Sequence, residues 1–203
     1  MTAPAALDVE KAVSVLREGG VIALPTDTLY ALAASALDAG AVERVYAIKG
    51  REGGKPLPLF VSGLEMAERY ARLNAMARAL AERFWPGALT LVLAKRDGFE
   101  SEALAGGDTV ALRAPADETA LAVLHGLDAP ITATSANRSG GPDPVSADDV
   151  RAQLGDAVDM VLDAGPCVVG VSSTIVDCTR PEPVILRRGA ISEAAILRAV
   201  LEG

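Results

Sequence analysis

The stretch Gly19–Gly63, GGVIALPTDTLYALAASALDAGAVERVYAIKGREGGKPLPLFVSG, constrains this chain more than any other. A four-residue apolar run, Val21–Leu24, is stopped by Pro25 and followed by the hydroxyl-rich loop Thr26-Asp27-Thr28. A helical pattern over 41–48 comes next, with Val42, Val45 and Tyr46 on one stripe. The glycines Gly50, Gly53 and Gly54 then interrupt the chain around Lys49, Arg51 and Lys55, before a second apolar run at 57–61. A strand that ends in a polar loop is where α/β proteins place their chemistry.

The same alternation of short strands and helices continues to the C-terminus. Helices are predicted over 8–18, 64–72, 74–84, 118–124 and 147–154, with a last one capped by Ser192 that turns Leu197, Val200 and Leu201 inward. Strands are predicted over 89–94, 109–113, 131–135, 160–163, 173–178 and 184–187, with Trp85-Pro86-Gly87 as a sharp turn and 98–107 as a mobile loop. Strands and helices mix without strict βαβ alternation, and neither a GxGxxG nor a Walker motif is present. The expectation is an α/β fold in which helices surround a twisted mixed sheet. One domain over 1–203, with its core at about 8–195, suits the length.

Charge and composition narrow the chemistry. A net charge of −8 argues against broad nonspecific nucleic-acid binding. It leaves room for a local basic pocket. No apolar run approaches the ~20 residues that span a bilayer, and the N-terminus lacks a secretory pattern, so the expected location is the cytoplasm. One histidine, His125, and two cysteines, Cys167 and Cys178, support neither a zinc site nor a histidine-based triad; all three read as ordinary core or surface residues.

Four polar sets could converge on one site: Thr26–Thr28, the cluster Lys49/Arg51/Lys55, Thr109 with Arg113, and Ser135-Ala136-Asn137. Ser172-Ser173-Thr174 and Arg187 form a further set. The period of two over 109–113 places Val110 and Leu112 on one face and Thr109, Ala111 and Arg113 on the other. An arginine within a strand has to snorkel, pair or bind an anion. Guanidiniums, ammoniums and hydroxyls together suit a polyanion such as a triphosphate. No nucleophile stands beside a base, which favours positioning and charge neutralisation over covalent catalysis.

Taken in order, P-T-D-T-L-Y at 25–30, K-G-R at 49–51, K-P-L at 55–57, L-R-A-P at 112–115, S-A-N at 135–137 and S-S-T at 172–174 resemble the YrdC-like family. Those proteins are the threonylcarbamoyl-AMP synthases of tRNA modification. The resemblance implies a concave basic cavity and a reaction of L-threonine, bicarbonate and ATP, with Mg²⁺, that gives threonylcarbamoyl-AMP and pyrophosphate. A partner transferase complex would then carry the group to tRNA adenosine 37. The K-x-R and S-x-N pairs imply catalytic roles for Lys49, Arg51, Ser135 and Asn137. ATP would be held by Arg51, Lys55, Thr109, Ala133, Ser135, Asn137, Asp143 and Arg187, and threonine by Thr28, Arg113 and Ser173. The resemblance provides for no resident metal site in the protein. Family members commonly have glycine where Ala31 stands, histidine near Phe60 and serine at Asp143. Longer members carry an extra C-terminal domain, and this chain resembles the short form. A nucleotide- or RNA-binding protein of the same family, without synthesis, is the alternative.

Overall fold

The computed structural model describes residues 6–50 and 54–202. In chain order the elements are α1 (Ala6–Arg17), β1 (Ile22–Leu24), β2 (Ala31–Ala33), α2 (Ala39–Lys49), β3 (Leu59–Phe60), α3 (Leu64–Tyr70), β4 (Ala71–Arg72) and α4 (Ala75–Phe84). Then come β5 (Leu89–Lys95), β6 (Thr109–Arg113), α5 (Glu118–Leu127), β7 (Ile131–Thr132), β8 (Thr134–Ser135), α6 (Ala147–Leu154), β9 (Met160–Val161), β10 (Thr174–Asp177), β11 (Val184–Arg187) and α7 (Glu193–Glu202).

The strands form two sheets where one was expected. The smaller has the order β8-β2-β1-β9, and the larger β11-β10-β5-β6-β3-β7 with β4 added beside β5. Both are mixed: β1 runs parallel to β9 and antiparallel to β2, and β5 runs parallel to β10 and antiparallel to β6. The chain passes from one sheet to the other at Ala133. β7 pairs with β3 in the larger sheet and β8 with β2 in the smaller, so the expected single strand over 131–135 is broken there. Thr132 fastens this crossing: its hydroxyl donates to the Leu32 carbonyl at 3.1 Å and accepts the Ala34 amide at 3.0 Å.

Strand alternation explains the two cores. Ile22, Leu24, Ala31 and Ala33 face one side of the small sheet, where α1 and α5 contribute Ala12, Val13, Leu16, Ala120, Val123 and Leu124. Val21, Ala23, Tyr30 and Leu32 face the other side and join the larger core with α2, α3, α4 and the central strands. Side-chain caps mark the helix starts, with Asp38 accepting from the Ala41 amide before α2 and a reciprocal Ser146–Asp149 capping box opening α6.

Three expectations need correction. The 98–107 segment is anchored, not loose: Phe99, Ala103 and Leu104 are buried, and the Ser101 hydroxyl donates to the Ala36 carbonyl at 2.5 Å. Helix α7 turns Ile196 and Ala199 inward while Leu197 and Leu201 are exposed, because its axis is rotated from the face chosen by leucine spacing. Strand β2 was not anticipated, since Ala31-Leu32-Ala33 is too short and too alanine-rich to show a strand period.

Candidate active site

Past Pro25, the Thr26 side chain builds the first wall. Its oxygen accepts the amides of Thr28 at 3.0 Å and Leu29 at 3.2 Å, and its single proton goes to the Leu29 carbonyl at 2.7 Å. In the 3.0 Å contact between the Thr26 and Thr28 hydroxyls, Thr28 is therefore the donor. That leaves the Thr28 oxygen with a lone pair for Arg113, whose Nη1 donates to it at 2.8 Å.

Arg113 ends β6 and is buried. Its Nε donates to the Gly87 carbonyl at 2.8 Å and its Nη2 to Asp27 Oδ1 at 2.5 Å, while Phe60 lies 5.6 Å beneath the guanidinium carbon. A guanidinium carries five N–H donors, so one remains on each terminal nitrogen. Burial pushes the Arg113 pKa below the usual arginine value, the Asp27 carboxylate acts against that shift, and the charge of Arg187 adds to it.

A second cluster joins α2 to β8. The Lys49 ammonium, buried at the end of α2, donates to the Ser135 carbonyl at 2.7 Å, the Ser135 hydroxyl at 3.3 Å and Asn137 Oδ1 at 2.6 Å. Ser135 donates to the same Asn137 oxygen at 2.7 Å, and the Asn137 amide donates to the Gly141 and Pro142 carbonyls. Both ends of Asn137 are thus occupied within the protein.

The third cluster lies where β10 and β11 meet. Arg187 donates from Nη2 to the Ser173 carbonyl at 2.9 Å and hydroxyl at 3.0 Å, and from Nε to the same carbonyl at 3.1 Å. Ser173 and Thr90 share a hydrogen bond of 2.8 Å. Burial lowers the Arg187 pKa, and the charge of Asp143 opposes that shift.

These clusters surround a cavity of about 240 Å³ between the two sheets. Its wall holds both guanidiniums, Arg113 and Arg187, and the hydroxyls of Thr26, Thr28, Thr90, Thr134, Ser135, Ser172 and Ser173. Among the described residues, no carboxylate lines it. In a chain of net charge −8, that wall is suited to anions.

Half of the expected site residues come together here. Thr28, Arg113, Ala133, Ser135, Ser173 and Arg187 line the cavity. Lys49 and Asn137 stand behind Ser135, outside that lining. Lys55 is exposed, Thr109 is exposed at the opposite end of β6 from Arg113, and Asp143 is exposed outside the lining. Arg51 lies outside the described residues. Thr90, a hydroxyl in the otherwise apolar run LTLVL, carried a signal that spacing alone did not connect to the site. Phe60 and Pro58 carried none. Cys178 is buried and Cys167 half-buried, both free, and His125 is exposed on α5.

Comparison with known proteins is decisive for the family. The Sua5/YciO/YrdC family model, described as "Telomere recombination", matches residues 14–189. The chain belongs to the Sua5/YciO/YrdC family. It is 41% identical to the threonylcarbamoyl-AMP synthase of Pyrococcus abyssi over 94% of its own length and 56% of that protein's. With the threonylcarbamoyl-AMP synthase of Bacillus subtilis the identity is 39%, covering 93% of this chain and 55% of the other. The solved structure of P. abyssi Sua5 complexed with L-threonine superposes with a TM-score of 0.91 at 40% identity, covering 94% of this chain and 56% of that one. The chain therefore spans about half the length of these relatives.

Two departures from the usual Sua5/YciO/YrdC pattern find a physical place. Ala31 sits in unbroken register opposite Leu24 and Ser135, so its β-carbon projects from an ordinary strand. Phe60 takes up the face of Arg113 and supplies apolar wall.

Proposed function

We propose that this protein is a threonylcarbamoyl-AMP synthase, joining L-threonine, bicarbonate and ATP into threonylcarbamoyl-adenylate with release of pyrophosphate. The observation that carries this reading is the cavity wall. Arg113 retains one N–H on each terminal nitrogen, a fork that matches a carboxylate, and Arg187 stands in the same cavity with a set of hydroxyls.

In this reading, Arg113 holds the threonine carboxylate, Thr28 orients that guanidinium against the amino acid, and Ser173 stands beside them. The substrate amine and bicarbonate form a carbamate with loss of water. A carbamate oxygen then attacks the α-phosphorus in line, and pyrophosphate departs. Both reactants are anionic, so the site has to offset their repulsion. Arg187, Arg51 and Lys55 are the cations assigned to the phosphates, with Ala133 and Asp143 near the nucleotide; Thr109, exposed at the far end of β6, is left out of that assignment. Lys49 and Asn137 hold the Ser135 turn in place for it. Among the described residues no group of three or more His, Cys, Asp or Glu side chains could hold a metal ion. Mg²⁺ would enter as part of the nucleotide substrate.

The product would pass in the cytoplasm to a transferase that modifies adenosine 37 of tRNA; the acidic chain itself does not favour direct tRNA binding. Among the described residues, no helix is long and apolar enough to cross a membrane. Incubation with ATP, Mg²⁺, bicarbonate and labelled threonine tests the reading. Threonine-dependent pyrophosphate and a labelled adenylate are expected. ATP binding without threonine-dependent pyrophosphate would instead identify a nucleotide-binding protein that lacks synthesis.

A further inference from the structure

The cavity holds two guanidiniums in different electrostatic states. Arg113 is buried and directly paired at 2.5 Å with Asp27, whose side chain is 11% exposed. The same Asp27 oxygen accepts the Ala116 amide at 3.0 Å, so the carboxylate is held by two donors on one oxygen, while the Asp27 backbone carbonyl accepts the Val169 amide at 2.9 Å. Asp27 does not line the cavity; it stands behind Arg113. Among the described residues no carboxylate lies within ion-pair distance of Arg187, whose direct contacts are to Ser173. The acid nearest to it in effect, Asp143, is exposed and screened by solvent.

We infer that Asp27 divides the cavity between its two anionic substrates, by neutralising Arg113 from behind and so reserving that guanidinium for a carboxylate while polyphosphate is directed to the Arg187 side. A neutral Asp27–Arg113 pair attracts a polyanion weakly at long range, but its two remaining N–H groups still fit the geometry of one carboxylate. Arg187, offset only by the exposed Asp143, keeps more of its charge, which rewards the higher charge density of phosphate. Without such a bias, a triphosphate could bridge both guanidiniums and close the amino-acid subsite. Asp27 is therefore a positioning and specificity residue that acts through Arg113 and touches no substrate. The inference rests on the reading of Arg113 as the amino-acid carboxylate site.

Titration calorimetry with L-threonine and inorganic tripolyphosphate tests it. Wild-type protein is expected to bind both, with tripolyphosphate leaving the threonine affinity unchanged. Asp27→Asn keeps an acceptor oxygen for Arg113 and Ala116 while removing the charge. It is expected to bind tripolyphosphate at least tenfold more tightly, now in competition with threonine. Adding Arg113→Gln to that variant is expected to abolish the gain. Arg113→Gln alone, which does not depend on the folding of Asp27→Asn, is expected to weaken threonine binding roughly 10- to 100-fold and leave tripolyphosphate affinity within about twofold. A merely structural role for Asp27 would weaken both ligands in Asp27→Asn, and that result overturns the inference. Unchanged tripolyphosphate affinity in Asp27→Asn, or displacement of threonine by tripolyphosphate in the wild type, overturns it equally. Wild-type protein that binds tripolyphosphate and never threonine would instead sink the functional reading beneath it.

Discussion

Arg113 and Lys49 are both buried cations, yet the structure uses them differently, and single substitutions should separate the two uses. Arg113 reaches the cavity with N–H groups to spare. Truncating it to alanine is expected to raise the KM for threonine roughly 10- to 100-fold, from loss of charged hydrogen bonds worth about 1.5–3 kcal/mol. The KM for ATP should move much less; equal effects in steady-state kinetics would show that the pocket is divided wrongly. Lys49 spends its ammonium on Ser135 and Asn137. Lys49→Met would strip Asn137 Oδ1 of its charged donor and cost about 1–3 kcal/mol of stability together with activity. Lys55→Ala, at an exposed position, is expected to weaken ATP binding while thermal stability stays within about 0.5 kcal/mol. Calorimetric Tm and ATP titration on both variants check this contrast, and an unchanged ATP affinity would remove Lys55 from the site. The strand period over Thr109–Arg113 makes Arg113 legible from sequence, because five residues suffice to show alternation. The inward turn of Lys49 is not legible, because a lysine at a helix end more often lies in solvent.

Among the elements, the join between β11 and α7 controls the cavity from outside it. Gly189 is pressed so closely on the 172–173 segment that an added β-carbon would lie 2.3 Å from the Ser172 carbonyl oxygen and 2.4 Å from the Ser173 carbonyl carbon. Both neighbours are backbone, so relieving the clash means moving the 172–173 segment, which receives Arg187, or the join itself. Gly189→Ala is expected to destabilise the protein by about 1–3 kcal/mol, in the range of overpacked positions. It should also raise the KM for threonine through displacement of Ser173. A denaturation midpoint and KM equal to wild type would show that the join yields freely. This constraint has no trace in the sequence, where Gly189 follows two arginines like any turn glycine. The strands that line the cavity were readable where β-branched and leucine residues alternate, as in β5, β6 and β10. They were unreadable where two-residue pairings such as β7 and β8 owe their form to long-range partners.

At the scale of the whole molecule, that break at Ala133 turns a mixed α/β chain into two sheets with a cavity between them, and no local pattern announces it. What the sequence does carry is the order of polar motifs, since those at 25–30, 112–115, 135–137 and 172–174 fall at strand ends or loops that the fold directs to the same cleft. The larger core buries two groups, Cys178 and Tyr30, whose ionisation would disrupt it. Burial pushes the Cys178 thiol from an ordinary 9.0 up to about 12, with the Asp177 charge adding to it. Burial likewise carries the Tyr30 phenol from 10.0 to about 12, while its hydroxyl donates to the Gly165 carbonyl at 2.8 Å. For an acid whose pKa is raised on folding, the unfolded chain loses its proton first as pH rises. The stability these groups contribute is therefore fully present below pH 9 and is lost progressively as pH rises towards about 12. Thermal unfolding followed from pH 8 to pH 11 should show a falling Tm over that window. Cys178→Ala and Tyr30→Phe should each start from a lower or equal Tm and decline less steeply, because each removes one group that the unfolded state can ionise. Slopes identical to wild type in both variants would place the alkaline loss elsewhere.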